Sequence, residues 1–264
     1  MSAPDDKFYR ARVNSRADLG PTLWTMRLEV DGNFTFVPGQ YATLGLEDAT
    51  KKRWERPYSI SSSPFENEIE FFLELVPGGD LTPLLHKLRL GDTVLMRKTP
   101  KGRFMLDSGT GRTNHLLICT VTGVAPFVSY VRTAHKEWEK AKSKGAHKLF
   151  LLNGASHASE FAYRMELQKT AEEMPWFKYV STISRPWEDP TWQGETGRVD
   201  DLIRKYADNW GLTSANSIAY LCGHPEMIEH GKAILRRAGF TKEWLREEVY
   251  WVAKKAPPDE PHPL

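Results

Sequence analysis

Arg56-Pro57-Tyr58-Ser59-Ile60-Ser61-Ser62 closes an extended stretch and gathers a fixed cation, an aromatic face and serine hydroxyls within a few residues. Each group suits one part of a large flat ligand. A tricyclic ring such as isoalloxazine can lie against Tyr58, the Ser59 hydroxyl can hydrogen-bond its N5 edge, and the planar fork of Arg56 can hold a pyrophosphate. The same residues also read as a serine-rich turn after a strand whose tyrosine belongs to the core.

Outward from this segment, the first ~110 residues are strand-like: Lys7–Val13, Thr22–Val30, Gln40–Leu46, Glu55–Ser61, Glu68–Val76 and Asp92–Lys98. In Glu68–Val76, Ile69, Phe71, Leu73 and Leu75 alternate with Glu68, Glu70 and Glu74, the period of a strand with one buried face. Six such strands, interrupted by one short helix candidate, predict a six-stranded antiparallel β-barrel. From His115 the pattern changes. Apolar bursts at His115–Thr120, Lys148–Asn153, Lys178–Ser184, Ser217–Cys222 and Glu248–Val252 alternate with helical stretches, which predicts an α/β domain on a five-stranded parallel sheet. Phe127, Val131, Ala134, Trp138 and Ala141 share one helical face, as do Val199, Leu202, Ile203, Tyr206 and Trp210. The polar stretch Asp107–Asn114 is the natural boundary, giving domains 1–108 and 109–255, with a Pro-rich tail at 256–264.

Composition narrows the function classes. The chain has 264 residues, and 36 basic against 34 acidic side chains leave a net charge of +2, without a nucleic-acid-binding motif. No apolar run reaches the ~18–20 residues of a bilayer helix, and the start lacks a secretion profile, so no membrane insertion and a cytoplasmic address are expected. Cys119 and Cys222 are too few for an iron–sulfur ligand set, and no metal site is expected; redox chemistry would belong to an organic cofactor.

Three further segments carry chemistry. Gly78-Gly79-Asp80-Leu81-Thr82 follows a strand and opens a short helix; its glycines let backbone amides approach an anion and Thr82 adds a hydroxyl, although this is also ordinary turn chemistry. Thr120-Val121-Thr122-Gly123-Val124-Ala125-Pro126 turns from a first parallel strand into a helix, where doubly wound sheets bind phosphates. Cys222-Gly223-His224-Pro225 ends another parallel strand, and a small buried thiol is the ordinary use of such a cysteine.

Taken in this order, barrel then α/β domain, with Arg56–Ser62 in the first, the chain resembles the ferredoxin:NADP reductase superfamily, in particular the bacterial ferredoxin/flavodoxin NADP reductases, over roughly residues 7–251. The resemblance implies that Arg56, Pro57, Tyr58, Ser59, Ser61 and Ser62 hold FAD and that Gly79, Leu81 and Thr82 belong to its pyrophosphate loop. It implies that Thr120, Thr122, Gly123 and Pro126 receive the NADP(H) pyrophosphate, with Val121 standing where a glycine is usual. Gly223 would allow nicotinamide stacking beside the Cys222 thiol. Arg185 and Arg198 match positions for the 2′-phosphate, and Ser156 stands where a bacterial arginine is common. The ending Glu247-Glu248-Val249-Tyr250-Trp251 is similar to a Glu-x-Tyr-Trp terminus in which Glu248 sets the electrostatics and Trp251 gates the flavin. Ser59, Cys222 and Glu248 are thus the expected reaction zone. The implied activity is hydride transfer between NADPH and flavin, with one-electron exchange with an acidic ferredoxin or flavodoxin; Lys51, Lys52, Arg53, Lys98, Lys101 and Arg103 offer a basic docking surface for such a carrier, and each also reads as part of a solvated charged loop. Rival readings are a flavin or ferric-chelate reductase, an oxygenase reductase component, and a flavin-binding interaction module without catalysis.

Overall fold

The computed structural model describes residues 7–141 and 147–250. Six strands, β1 (Phe8–Asp18), β2 (Leu23–Glu29), β3 (Tyr41–Glu47), β4 (Arg53–Ser59), β5 (Ile69–Glu74) and β6 (Thr93–Arg97), form one antiparallel sheet in the order β4-β3-β6-β1-β2-β5. The sheet curls until its edge strands meet through a single bridge between Ile60 and Phe71. Alternation fills the barrel: Trp24, Met26 and Leu28 of β2 face Phe71 and Leu73 of β5 in one core. The five-residue helix α1 (Thr82–His86) links β5 to β6.

The second sheet is parallel, in the order β10-β9-β8-β7-β11-β12. Its strands are β7 (Asn114–Thr120), β8 (Lys148–Ala155), β9 (Phe177–Ile183), β10 (Glu195–Thr196), β11 (Ser217–Gly223) and β12 (Leu245–Val249). All five expected strands form, and β10, two residues long and too short to leave a periodic signal, makes a sixth at the edge. β12 starts before the apolar run that suggested it. Pairing with β11 sets its register: Leu245 lies opposite Ala219 and Val249 opposite Gly223, where β11 stops. Successive residues point to opposite faces. Leu117, Leu149 and Leu151 meet Phe127 and Val131 of α2 (Ala125–Ala141) and Leu167 of α3 (Arg164–Glu173). Leu116, Ile118 and Phe150 meet Ile203 of α4 (Val199–Asn209) and Ile228 and Leu235 of α5 (Pro225–Arg237). No helix among the described residues is long and apolar enough to cross a membrane.

The two sheets share a packed seam. β5 is buried on both faces: its odd residues enter the barrel, whereas Phe72 joins the core of the second sheet together with Leu23 and Phe104. Glu70, on the Phe72 side, is a buried carboxylate held by Arg27 at 2.8 Å, Arg132 of α2 at 2.5 Å and the Tyr163 hydroxyl at 3.2 Å. Arg132 also takes Glu166 of α3 through its Nε at 2.7 Å. Ser61 bonds Tyr163 at 3.1 Å, and Ser129 donates to the Ser62 carbonyl at 2.7 Å. Removing one partner of a buried pair leaves an uncompensated charge, which costs about 3–5 kcal/mol. Arg132→Met is therefore expected to lower the thermal midpoint by roughly 6–20 °C, given about 3–5 kcal/mol at ~2–4 °C per kcal/mol for a chain near this size; calorimetry showing a shift below 2 °C would contradict the role assigned to this pair.

Candidate functional site

Two cavities open along the seam. The first, about 410 Å³, lies between the barrel and the carboxyl edge of the parallel sheet and is lined by Arg56, Tyr58, Ser59, Phe72, Gly79 and Thr82, among others. The second, about 390 Å³, sits at the carboxyl ends of β7, β8 and β11. There β7 has β8 on one side and β11 on the other, so successive connections run in opposite directions. This is the switch point at which doubly wound sheets bind ligands. Glu74, Thr122 and Tyr250 line both cavities, which makes them neighbouring compartments of one cleft.

In the first cavity an apolar floor of Tyr58, Phe72 and Leu73 adjoins hydroxyls and a guanidinium, a donor set that fits an aromatic ring carrying a diphosphate. Ser59 lies at the end of β4, and its hydroxyl donates to Glu248 Oε1 at 2.7 Å across the seam. Burial pushes the Glu248 carboxyl above its ordinary range, an effect that the Ser59 bond partly offsets. Burial also pushes the Tyr58 phenol up, while Arg56 pulls in the opposite direction. Arg56 pairs with Asp80 at 3.1 Å, which ties β4 to the glycine loop. In that loop the Gly79 N–H closes on the Val76 carbonyl, the Thr82 hydroxyl accepts from Val76 N at 3.0 Å, and the Leu81 side chain is buried. Thr82 therefore shapes the loop as well as facing the cavity.

The second cavity is lined by Thr120, Thr122, Ser156, Arg198 and Gly223 as expected, and also by Asp200, a buried carboxylate 3.3 Å from Arg198. Val121 has φ +45°, the left-handed region that a β-branched side chain rarely adopts, so the segment is strained where a glycine would not be. Gly223 has φ +125°, and a Cβ there would stand 2.4 Å from Thr120 Oγ1; the strand end therefore admits only glycine without rearrangement.

Several expected site residues lie elsewhere. Ser61 and Ser62 are fully buried in the seam, because after Ser59 the chain turns inward to bridge β5. Gly123 and Pro126 line neither cavity: a Cβ on Gly123 would meet the Cys222 carbonyl at 2.4 Å, and Pro126 is buried at the start of α2. Cys222 lies opposite Glu248 in the sheet, but its thiol is fully buried, is pushed up by burial and is hydrogen-bonded to Tyr250. Tyr250, which bonds this thiol and Ser59, lines both cavities. Arg185 is exposed at the rim, 3.7 Å from Glu188, and is absent from the cavity wall. Trp251 and the tail 256–264 lie outside the described residues. Lys51 and Lys52 precede the far end of β4 from Ser59, about 20 Å away at ~3.3 Å per residue. Lys101, by contrast, pairs with Tyr41, which in turn pairs with Ser59, so the backbone of Lys101 lies at the Ser59 end of the barrel. Sequence reasoning missed Tyr250, Glu74 and Asp200. Tyr250 had a signal in its adjacency to Glu248, whereas the other two read as ordinary surface acids.

The raised Glu248 carboxyl has a consequence for stability. A folded-state shift upward means that the native chain binds more protons than the unfolded one above the ordinary glutamate range, so this group makes stability fall as pH rises. Glu248→Gln is expected to raise the melting temperature at about pH 7–8 relative to its effect at about pH 3, which lies below the ordinary glutamate range. Equal shifts at both pH values in thermal scans would overturn this.

The pattern of the oxidoreductase FAD-binding domain matches residues 10–106, and that of the oxidoreductase NAD-binding domain matches residues 117–232. The chain is 30% identical over 247 residues to the ferredoxin–NADP reductase of Pseudomonas aeruginosa, covering 88% of this chain and 90% of that protein. It is 30% identical over 255 residues to the reductase component of a phenol 2-monooxygenase from Pseudomonas sp. strain CF600, covering 94% of this chain and 67% of that protein. In fold it resembles a ferredoxin NADP+ reductase from Neisseria gonorrhoeae solved with FAD and NADP, with a TM-score of 0.78 at 22% identity, over 92% of this chain and 98% of that one.

Proposed function

This chain belongs to the ferredoxin:NADP reductase superfamily and is an oxidoreductase with FAD-binding and NAD-binding domains; from that premise we propose that it passes electrons between NADPH and a ferredoxin or flavodoxin. The Ser59–Glu248 hydrogen bond, in the wall of the first cavity beside Tyr250, which lines both, carries this reading. When bound, FAD supplies what no side chain can, hydride acceptance from a nicotinamide and release of electrons one at a time. Tyr58, with Pro57, gives the ring a face, and Arg56, Gly79, Leu81 and Thr82 enclose the diphosphate end. Thr120, Thr122, Ser156 and Gly223 receive the nicotinamide coenzyme, while Arg198 in the wall and Arg185 at the rim supply the cations that favour a 2′-phosphate. The Ser59 hydroxyl donates to Glu248, and burial raises that carboxyl, which shifts it toward its protonated form beside the first cavity. Tyr250 closes the junction against water, holds the Cys222 thiol below it and must shift for a nicotinamide ring to reach Ser59. Cys222 is thus a positioning residue under Tyr250. An acidic carrier would be steered to Lys101 and Arg103 beside the Tyr41 end of the cleft.

A second reading, the reductase component of an oxygenase, has one observation in its favour: the identity to the phenol monooxygenase component equals that to the ferredoxin–NADP reductase. Both share the hydride step and differ in the acceptor. Anaerobic titration of the purified flavoprotein with NADPH, followed by ferredoxin, flavodoxin and a small dye, separates them. Bleaching by NADPH and prompt reoxidation by an acidic carrier are expected, with a rate that falls steeply as salt is added; reoxidation by the dye alone would remove the carrier assignment. Tyr58→Ala is expected to weaken FAD binding about tenfold, the scale of a lost aromatic contact of ~1.4 kcal/mol, read as flavin retained after gel filtration. Full retention would remove the ring from Tyr58.

A further inference from the structure

We propose that Glu188 sets how strongly this chain prefers a 2′-phosphorylated coenzyme, by competing with that phosphate for the Arg185 guanidinium, and that His157 relieves the competition when it carries a proton. The inference rests on the reading of Arg185 as a 2′-phosphate ligand and adds to it a residue on the opposing side. Glu188 ends the short helical turn Pro186–Glu188, which follows Arg185 directly and leaves one carboxylate facing two cations. Its Oε1 lies 3.7 Å from Arg185 Nη1 and its Oε2 lies 2.7 Å from His157 Nε2.

His157 is the residue after Ser156, where the expected third cation is missing and where the chain lines the coenzyme cavity. The imidazole is clamped between two acids, Glu188 at Nε2 and Glu160 at Nδ1, 3.2 Å away, and these carboxylates raise its pKa. Glu160 is itself fixed, accepting from the Ser156 amide at 2.7 Å, and the Glu74 carboxyl of the barrel faces it across the cleft. The Trp187 indole also bonds Glu188. A backbone bond from Arg185 N to the Ser156 carbonyl, 3.2 Å, holds the two loops side by side.

Charge bookkeeping decides the direction. With His157 protonated, Arg185 and His157 balance Glu160 and Glu188, and Glu188 is drawn toward the imidazole. With His157 neutral the same corner carries one net negative charge, and Glu188 has only Arg185 as a cationic partner. A phosphate monoester near neutral pH carries about 1.5 to 2 negative charges, so the second state disfavours it, whereas a 2′-hydroxyl is indifferent to a change of one charge and accepts a nearby carboxylate as a hydrogen-bond partner. Deprotonation of His157 thus moves the chain from NADP(H) toward NAD(H) preference.

The test is calorimetric binding of adenosine 2′,5′-bisphosphate and of 5′-AMP, probes whose affinities need no electron transfer, from about pH 6.5 to about pH 8.5, the range in which a perturbed histidine titrates. Arg185 and Glu188 are both largely exposed, so their variants are expected to fold. Glu188→Gln should tighten the bisphosphate about two- to fivefold, the scale of an exposed ion pair, and leave AMP unchanged. In the wild type the bisphosphate-to-AMP affinity ratio should fall as pH rises, and in His157→Gln that dependence should flatten. If Glu188→Gln leaves the bisphosphate unchanged while Arg185→Ala weakens it, the competition is refuted and the 2′-phosphate reading stands. If Arg185→Ala also leaves the bisphosphate unchanged, the reading of Arg185 fails and this inference fails with it. A pH-independent ratio in the wild type would remove His157 from the scheme.

Discussion

The site exists because a carboxylate on a barrel strand is buried against the second sheet. Glu70 is buried, and its carboxylate is held by Arg27 and by Arg132, which comes from a helix of the other domain. A pair of this kind adds little net stability compared with an apolar contact of equal volume, but it is costly to break and demanding in geometry. It therefore acts on orientation. With Tyr163, Ser61 and Glu166 it fixes how the end of β4 faces the ends of β11 and β12.

That orientation brings Ser59 to 2.7 Å from Glu248, though the two lie on different sheets and 189 positions apart in the chain. It also places Tyr250 in the wall of both cavities. Burial there raises the Glu248 carboxyl and the Cys222 thiol, which the hydroxyls of Ser59 and Tyr250 respectively meet. The wider cleft is more acidic than its phosphate-binding reading would suggest. Asp80 holds Arg56, Asp200 and Glu226 hold Arg198, and Glu188 holds Arg185. Each cation that the proposed function gives to a phosphate already has a carboxylate partner, so under that proposal a coenzyme would bind by exchanging partners.

Much of the architecture is local in origin and was legible from order alone. The apolar bursts after His115 and the helical spacing of Phe127, Val131, Ala134 and Trp138 each follow from one residue's fit to its own strand or helix and reappear in the fold; the alternation of Glu68–Val76 marks the strand and its barrel face, but not the burial of Glu70 and Phe72 on the other face, which the seam imposes. The cleft residues Arg56, Tyr58, Ser59 and Thr82 were legible for the same reason, since a turn that follows a strand shows its polar groups in sequence. What sequence could not assign was direction. Ser59 and Ser61 are separated by one residue, yet one meets the cleft and the other the seam, because the chain bends to bridge Phe71. Cys222 was placed at the correct strand end, but the ring that covers it arrives from β12, whose register is set by pairing with β11 and by no pattern of its own.

The sequence by itself thus determined which segments become strands and helices, and which aromatic and polar groups gather at the end of β4 and in the glycine loop, because those depend on short-range periodicity and on residue chemistry. Only the tertiary structure decided which acids face which arginines and which hydroxyl meets Glu248. Those contacts join residues distant in the chain, and their strength depends on burial, which a linear pattern does not record.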